Sequence, residues 1–186
     1  MMYSNDPDVL IGILNYLKDK NIPVSKIVLH KLIFFMKESG FRLSYSFEPY
    51  KYGPFSENLA EDINMLKVDE KININKANLK LVNVNDDVKI SLQDEAIKFI
   101  DKFDEMLGSN YDFSNIELYG TVFYCIRSLE ESTDPIDKEN VLRQFKGWKG
   151  NKFSDDSVFK ALSDVLKFKQ NWDKEYNNQY FDVLSA

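Results

Sequence analysis

The sequence predicts a mainly α fold with a small β component (α+β), and three observations support this prediction. Apolar residues make up 44% of the 186 residues and aromatic residues 14%, a composition typical of a folded chain with a sizeable core. Glycine (7) and proline (5) are scarce, which favours long helices joined by short turns. Apolar residues recur at helical spacing over most of the chain, and short β-like runs are confined to residues 71–92.

Two predicted helices open the chain. The first covers residues 8–19, where the apolar residues share one side, and Pro23 lies between it and the second helix. Ser25 is positioned to cap the second helix, residues 25–39. Apolar residues in this second helix are too numerous for a single stripe, so we expect it to be buried on most sides.

A chain-breaking motif, Tyr52-Gly53-Pro54-Phe55-Ser56, follows the second helix and an aromatic connection at residues 41–52. Gly53 can adopt a positive φ that is closed to most residues, and Pro54 fixes its own φ. Ser56 is positioned to cap a third helix over residues 56–67. The sequence therefore predicts that Tyr52, Gly53, Pro54 and Ser56 form the joint of a helix, turn, helix unit.

Three β-like runs follow the third helix, at residues 71–75, 79–84 and 88–92. Asn85-Asp86-Asp87 is the expected turn between the last two runs. Three helices followed by a β-hairpin is the order of a winged helix, so residues 1–107 are predicted to form a winged-helix-like half. A capping box at Ser91-Leu92-Gln93-Asp94 is expected to open the helix that closes this half.

Residues 108–186 are predicted to form a helical half that packs with the first half as one compact unit. A second capping box, Ser114-Asn115-Ile116-Glu117, is expected to open its first helix. Asp134-Pro135 starts the next helix, which Gly147 breaks, and Ser154-Asp155-Asp156 caps a long helix to about Trp172.

The motifs around the joint resemble a known family. Lys31-Leu32-Ile33-Phe34-Phe35, followed by an aromatic stretch and Tyr52-Gly53-Pro54-Phe55-Ser56-Glu57-Asn58-Leu59, is similar to the YwgA-like family of uncharacterised prokaryotic proteins. The same motifs resemble, more distantly, the Panacea (SocA-like antitoxin) domain. In the second half, Ile116-Glu117-Leu118 and Lys152-Phe153-Ser154 resemble YwgA-like proteins rather than Panacea. The closer resemblance implies no established activity, and the more distant one implies binding and neutralising a toxin protein.

The polar residues offer little for catalysis or metal binding. His30 is the only histidine and Cys125 the only cysteine, so a multi-histidine or cysteine-rich metal set is excluded, and no cofactor is expected. We expect His30 to be a packing residue and Cys125 a core thiol. The sequence contains no phosphate-binding glycine loop and no nucleophile elbow, so we expect a protein that is not an enzyme.

Net charge limits the classes of partner that the sequence predicts, and hydropathy limits the cellular compartment. The formal net charge is −6, divided as −3 in residues 1–107 and −3 in residues 108–186, so neither half is a basic nucleic-acid domain by net charge. The sequence predicts neither a membrane span nor a signal peptide, and the cytoplasm is the predicted compartment.

Two surfaces are candidate contact sites. The best basic cluster is a possible anion or nucleic-acid surface, and its alternative is an ordinary solvated helix end. Its residues are Lys138, Arg143, Lys146, Trp148, Lys149 and Lys152. In a winged helix the helix after the turn faces the major groove, yet Glu57, Glu61 and Asp62 lie on its exposed side and would repel phosphates. We therefore expect these three acidic residues to face a protein partner.

The sequence favours a non-catalytic protein-binding module of the cytoplasm, for example an antitoxin-like or defence-associated module, whose partner and oligomeric state the sequence does not identify. The alternative is a DNA-binding transcriptional regulator of winged-helix type. Such a regulator would use the basic cluster or the hairpin wing to contact phosphates.

Overall fold

The computed structural model describes residues 6–75, 81–176 and 179–185. Its helices are α1 (Asp6–Asp19), α2 (Lys26–Glu38), α3 (Glu57–Val68), α4 (Asp94–Leu107), α5 (Phe113–Ser132), α6 (Lys138–Lys149) and α7 (Asp155–Tyr176). Two antiparallel hairpins pair β1 (Glu48–Tyr50) with β2 (Gly53–Phe55), and β3 (Ile72–Asn75) with β4 (Leu81–Val84). The prediction of a mainly α protein with a small β component is confirmed. Within the described ranges, no helix has the length and apolar character to cross a membrane.

The first half has the predicted order of three helices and a hairpin, α1, α2, α3, β3 and β4. Strand β4 packs on α1, and the Val82 amide donates a hydrogen bond to the Val24 carbonyl at 2.7 Å. Helix α1 also packs on α3, so the hairpin and the helices share one apolar interior. The winged-helix assignment of this half stays a prediction.

The β3–β4 hairpin pairs the first and second predicted β-like runs, whereas the sequence predicts that the second and third runs pair. Residues 88–92 form only an isolated bridge, between Leu92 and Leu184, and Asn85-Asp86-Asp87 follows β4 instead of forming the hairpin turn. The backbone of this third run is bound elsewhere, since the Asn15 side chain donates to the Val88 carbonyl at 3.0 Å and the Ser185 amide donates to the Ser91 carbonyl at 3.2 Å. Part of the second predicted run, residues 79 and 80, lies outside the described residues.

The predicted helix, turn, helix joint is wrong, because Gly53 and Pro54 belong to strand β2. The turn of this hairpin is formed by Lys51 and Tyr52, and Pro54 lies opposite Pro49. Proline has no amide hydrogen, so two facing prolines fit a pair of positions where the ladder needs no hydrogen bond. Two details of the prediction are confirmed: Gly53 has a φ of +89°, and the Ser56 side chain caps α3 by accepting the Leu59 amide at 3.3 Å.

Neither predicted capping box forms. Helix α4 follows Gln93 and α5 follows Asp112, and neither of these residues makes a side-chain cap. Helix α5 begins at Phe113, before Ser114, so Glu117 lies beyond the first turn and is buried in the core. Helix α6 is capped by Asp137, whose carboxylate accepts the Asn140 amide at 2.8 Å, and it continues through Gly147 to Lys149.

Helix α5 connects the two halves. It packs against α2 and β2 of the first half and against α6 and α7 of the second. The rings of Phe35 in α2 and Phe123 in α5 have centroids 4.1 Å apart. Helix α2 has nine buried residues, which confirms the prediction that it is buried on most sides. The division into residues 1–107 and 108–186 stays a prediction, and buried residues from both ranges belong to one core.

Candidate ligand-binding cleft

The β1–β2 hairpin is fixed by two lysines from different helices. Lys31 of α2 donates from Nζ to the Pro54 carbonyl at 2.7 Å. Lys149 of α6 donates from Nζ to the Lys51 carbonyl in the hairpin turn at 2.5 Å. Strand β2 also packs against α5. The hairpin is therefore a rigid part of the fold and not a loose loop.

A cleft of about 500 Å³ opens beside this hairpin. Its other sides are the N-terminal part of α2, one residue of α3, Ala60, and the segment that leads into α5. Most of its wall is apolar or aromatic, with Ile27, Tyr50, Tyr52, Phe55, Tyr111 and Phe113 among the lining residues. Pockets of roughly 300–1,000 Å³ with apolar walls and a few polar groups are typical ligand sites.

Aromatic contacts shape the cleft. The ring of Phe55 lies 4.5 Å from the His30 ring, nearly parallel to it, and 5.1 Å from the Tyr50 ring. Tyr52 and Phe113 meet edge to face with ring centroids 4.9 Å apart. These contacts leave Tyr50, Tyr52 and Phe113 exposed at 62%, 37% and 44%. The exposed faces make the rim of the cleft apolar.

A fourth exposed aromatic residue, Trp148, lies beside the same hairpin. It is 53% exposed and lines a small depression together with Tyr50 and Pro54. Seven large apolar side chains are exposed in the described parts of the chain, and four of them surround this hairpin. Concentrated exposed aromatic surface on a folded protein marks an interaction site.

His30 supports the hairpin and confirms the expected packing role. Its Nδ1 accepts a hydrogen bond from the Ser56 amide at 3.3 Å, and its ring stacks on Phe55. Burial, followed by the charges of Lys31 and Lys26, lowers the pKa of His30 to about 3. The imidazole is therefore neutral near pH 7, with its proton on Nε2.

The side chain of Lys31 passes between two glycines of different elements. A Cβ atom at Gly120 of α5 would lie 2.6 Å from Lys31 Cδ, and a Cβ atom at Gly53 would lie 3.1 Å from Lys31 Cε. A side chain at Gly120 would force the lysine to shift, and one at Gly53 would crowd it. Lys31 is 3% exposed and is one of the residues that line the cleft, so the two glycines make room for a buried lysine in the cleft wall.

A buried carboxylate with two lysines lies close to Lys31. Glu117 is fully buried; its Oε1 accepts from Lys149 at 2.9 Å and its Oε2 from Lys152 at 2.6 Å. Each carboxylate oxygen therefore pairs with one lysine. Among the described residues, Lys31 makes no ion pair with a carboxylate, and its hydrogen-bond partner is the Pro54 carbonyl.

The amine of Lys31 has an altered acidity. Its pKa is lowered to about 7, mainly by burial and also by repulsion from Lys149, while attraction to Glu117 opposes both effects. The amine is therefore partly neutral near physiological pH. A strongly shifted ionisable group that lines a cleft is typical of functional sites.

The predicted basic cluster does not form one open surface. Lys149 and Lys152 bind Glu117, and Lys146 pairs with Asp155 at 2.7 Å. Lys138 lies 5.1 Å above the Phe159 ring, and Arg143 donates to the Asn140 side chain at 2.7 Å. Lys149, Lys152 and Trp148 thus belong to the cleft and its support, whereas Lys138 and Arg143 lie on the exposed part of α6.

The predicted acidic surface of α3 lies beside the cleft. Glu57 and Glu61 are exposed, and Glu57 lies one helical turn before Ala60, which lines the cleft. Asp62 is half-buried and accepts a hydrogen bond from the Tyr45 hydroxyl at 2.8 Å. Two of the three predicted residues are therefore available to a partner bound in the cleft, and Asp62 supports the aromatic connection.

Cys125 is buried in α5, and burial raises the pKa of its thiol to about 12, so the thiol stays protonated as a core residue. Within the described ranges, no group of three or more His, Cys, Asp or Glu side chains is arranged to hold a metal ion.

Sequence reasoning missed Lys31 and Phe113, which line the cleft, and Gly120 and Glu117, which lie beside Lys31. The available signal was a charged residue inside an apolar helical run. Lys31 stands in such a run in α2, and Glu117 stands between Ile116 and Leu118 in α5. No family model matches this sequence, and no curated protein matches it.

Proposed function

We propose that this protein is a non-catalytic binding module that receives a segment of a partner protein in the cleft beside the β1–β2 hairpin. The observation that carries the proposal is the set of four exposed aromatic residues around that hairpin, Tyr50, Tyr52, Phe113 and Trp148. Aromatic residues are enriched at protein interfaces, and the residues that dominate binding energy cluster around apolar pockets.

The rigidity of the hairpin supports this proposal. Lys31 and Lys149 each bind a hairpin carbonyl, and Tyr52 packs on Phe113. A surface that is already ordered loses little conformational entropy when a partner binds. Pre-organisation of the hairpin therefore favours binding of a partner in this cleft.

The acidic side of α3 adds charge selectivity. Glu57 and Glu61 stand beside the cleft, so a partner segment with basic residues next to its apolar anchor would complement this surface. An antitoxin-like or defence-associated role in the cytoplasm is the form of this function that the resemblance implies. The toxin would then be the partner.

The nucleic-acid alternative has weaker support. A DNA-binding surface draws its affinity from lysine and arginine residues that displace counterions from phosphates. Lys146, Lys149 and Lys152 instead neutralise carboxylates of the protein itself. Among the described residues, Lys138 and Arg143 are the exposed basic members of the predicted cluster that form no ion pair with a carboxylate.

A peptide selection tests the proposal. Pools of randomised, N-acetylated octapeptides, prepared as C-terminal free acids and as amides, are passed over the immobilised protein, and retained peptides are read by mass spectrometry. We expect selective retention by the wild type and its loss in the variant Tyr52→Ser with Phe113→Ser. The matched control, Met65→Ser with Val68→Ser, removes two exposed apolar residues of α3 and is expected to retain the same peptides. No retention by the wild type, or equal retention by both variants, contradicts the proposal.

A further inference from the structure

We infer that the cleft recognises the C-terminal carboxylate of its partner, which binds the ammonium group of Lys31 while the last, apolar side chain packs against the aromatic walls. This inference rests on the proposed function, because it names the chemical group that the same cleft receives.

The charges around Lys31 call for an anion. Three lysines, Lys31, Lys149 and Lys152, lie close to one carboxylate, Glu117, whose two oxygens pair with Lys149 and Lys152. An ammonium group has three N–H donors, and Lys31 gives one to the Pro54 carbonyl. Two donors of Lys31 are left for a ligand, and a carboxylate oxygen can accept either of them.

A carboxylate ligand would also relieve the cost of a buried charge. A buried ammonium without an anion is unstable, and the protein lowers this cost by giving Lys31 a pKa of about 7. A bound carboxylate would favour the charged form and restore the proton. The charged groups that face Lys31 are Glu117 from α5 and Lys149 from α6, while neighbouring His30 is neutral. Binding is therefore coupled to proton uptake at Lys31.

The position of Lys31 favours a chain end over an internal acidic residue. Lys31 is only 3% exposed, so a ligand must bring its carboxylate to a buried amine. A chain terminus enters with one chain segment, whereas an internal aspartate or glutamate must also fit the chain that leaves. The terminal carboxylate is joined through a single Cα to the last side chain, so both groups reach the amine and the aromatic walls together.

The free-acid and amide pools test this inference directly. Peptides recovered from the pools are resynthesised in both forms, and their Kd values are measured by fluorescence anisotropy at about pH 6 and about pH 8.5. We expect the free acid to bind the wild type about tenfold more tightly than the amide, the effect of losing a charge-assisted hydrogen bond. This preference is expected to be weaker at the higher pH, where Lys31 is neutral.

Two variants locate the effect. Lys31→Met keeps an unbranched side chain between Gly53 and Gly120 and removes the charge, so the acid preference is expected to disappear. Lys98→Met changes an exposed lysine of α4 outside the cleft and is expected to behave as the wild type. If Lys31→Met does not fold, the inference is tested by comparing the Kd values of the free-acid and amide peptides for the wild type alone.

The outcomes separate this inference from the proposed function. Equal binding of acids and amides overturns the inference and leaves the proposed function standing. Amides that bind only when they contain an internal aspartate or glutamate also overturn it, because the anion is then a side chain. If no peptide of either form is retained, the proposed function fails and the inference fails with it.

Discussion

Lys31 Nζ donates a hydrogen bond to the Pro54 carbonyl at 2.7 Å, and this bond joins the most buried helix of the first half to strand β2. Pro54 is adjacent to Gly53, whose missing side chain leaves room for the lysine. The motif that the sequence marks as a chain break therefore positions a buried amine. The same hydrogen bond therefore holds the hairpin and positions the amine that we propose binds the ligand.

Replacing Gly53 should destabilise the fold. Gly53 has a φ of +89°, and its Cβ atom would lie 3.0 Å from Thr121 Oγ1 and 3.1 Å from Lys31 Cε. We expect Gly53→Val to lower the free energy of unfolding by about 1–3 kcal/mol, measured by urea denaturation. Gly147→Ala is the matched control, because nothing lies within 4 Å of its Cβ position in α6, and it should be neutral or slightly stabilising. An unchanged stability of Gly53→Val would show that the strand tolerates a side chain here.

Glu117→Gln should strongly lower the stability of the protein, although it changes no exposed side chain. The substitution keeps the shape of the side chain but leaves buried Lys149 without its anion. Removing one partner of a buried ion pair costs about 3–5 kcal/mol, so we expect a loss of that order in urea denaturation. Lys152→Gln is the comparison, since the Lys152 side chain is 46% exposed and its loss should cost far less. Equal effects of the two variants would mean that burial of Glu117 does not govern the stability of the cluster.

The stability of the protein should depend on pH through Lys31. Its pKa is about 7 in the folded protein and 10.5 when unperturbed, so above pH 7 the unfolded chain holds a proton that the folded chain has lost. The contribution of Lys31 to the free energy of unfolding therefore rises with pH between about 7 and 10.5, with a slope of about 1.4 kcal/mol per pH unit, and does not change with pH below about 7. Urea denaturation of the wild type and Lys31→Met from about pH 6 to about pH 9 checks this. A stability difference between the two that does not change with pH would place the Lys31 pKa near its ordinary value.

Local patterns predicted the helices but not the cleft. The 3.6-residue periodicity of apolar residues is contained within each segment, so α2 and α7 were predicted close to their observed bounds. The β1–β2 hairpin was missed because its two prolines indicate a chain break, and only their pairing across the hairpin makes them compatible with strands.

The buried cluster was missed for a different reason. Glu117 and Lys149 are 32 positions apart, and the partners of a buried charge are decided by how α5 and α6 pack, which no local pattern encodes. The predicted capping role of Glu117 used only the residues next to it. A charged residue between apolar neighbours in a helix was the signal for a buried pair, but it does not name the partner.

The last prediction separates the proposed protein-binding function from DNA binding. If the protein binds duplex DNA through its basic residues, the affinity must fall steeply between about 50 mM and about 200 mM salt, because each neutralised phosphate releases counterions. The charges to reverse are those of Lys138 and Arg143, which are exposed, whereas Lys149→Glu would place a second carboxylate against buried Glu117 and strongly destabilise the fold. We expect a fluorescence titration to show no binding of duplex DNA even at the lower salt concentration. The same result is expected for the wild type and for the double variant Lys138→Glu with Arg143→Glu. Salt-sensitive binding at micromolar concentration or below that this double variant abolishes would instead favour a DNA-binding regulator, since Lys138 and Arg143 lie outside the cleft.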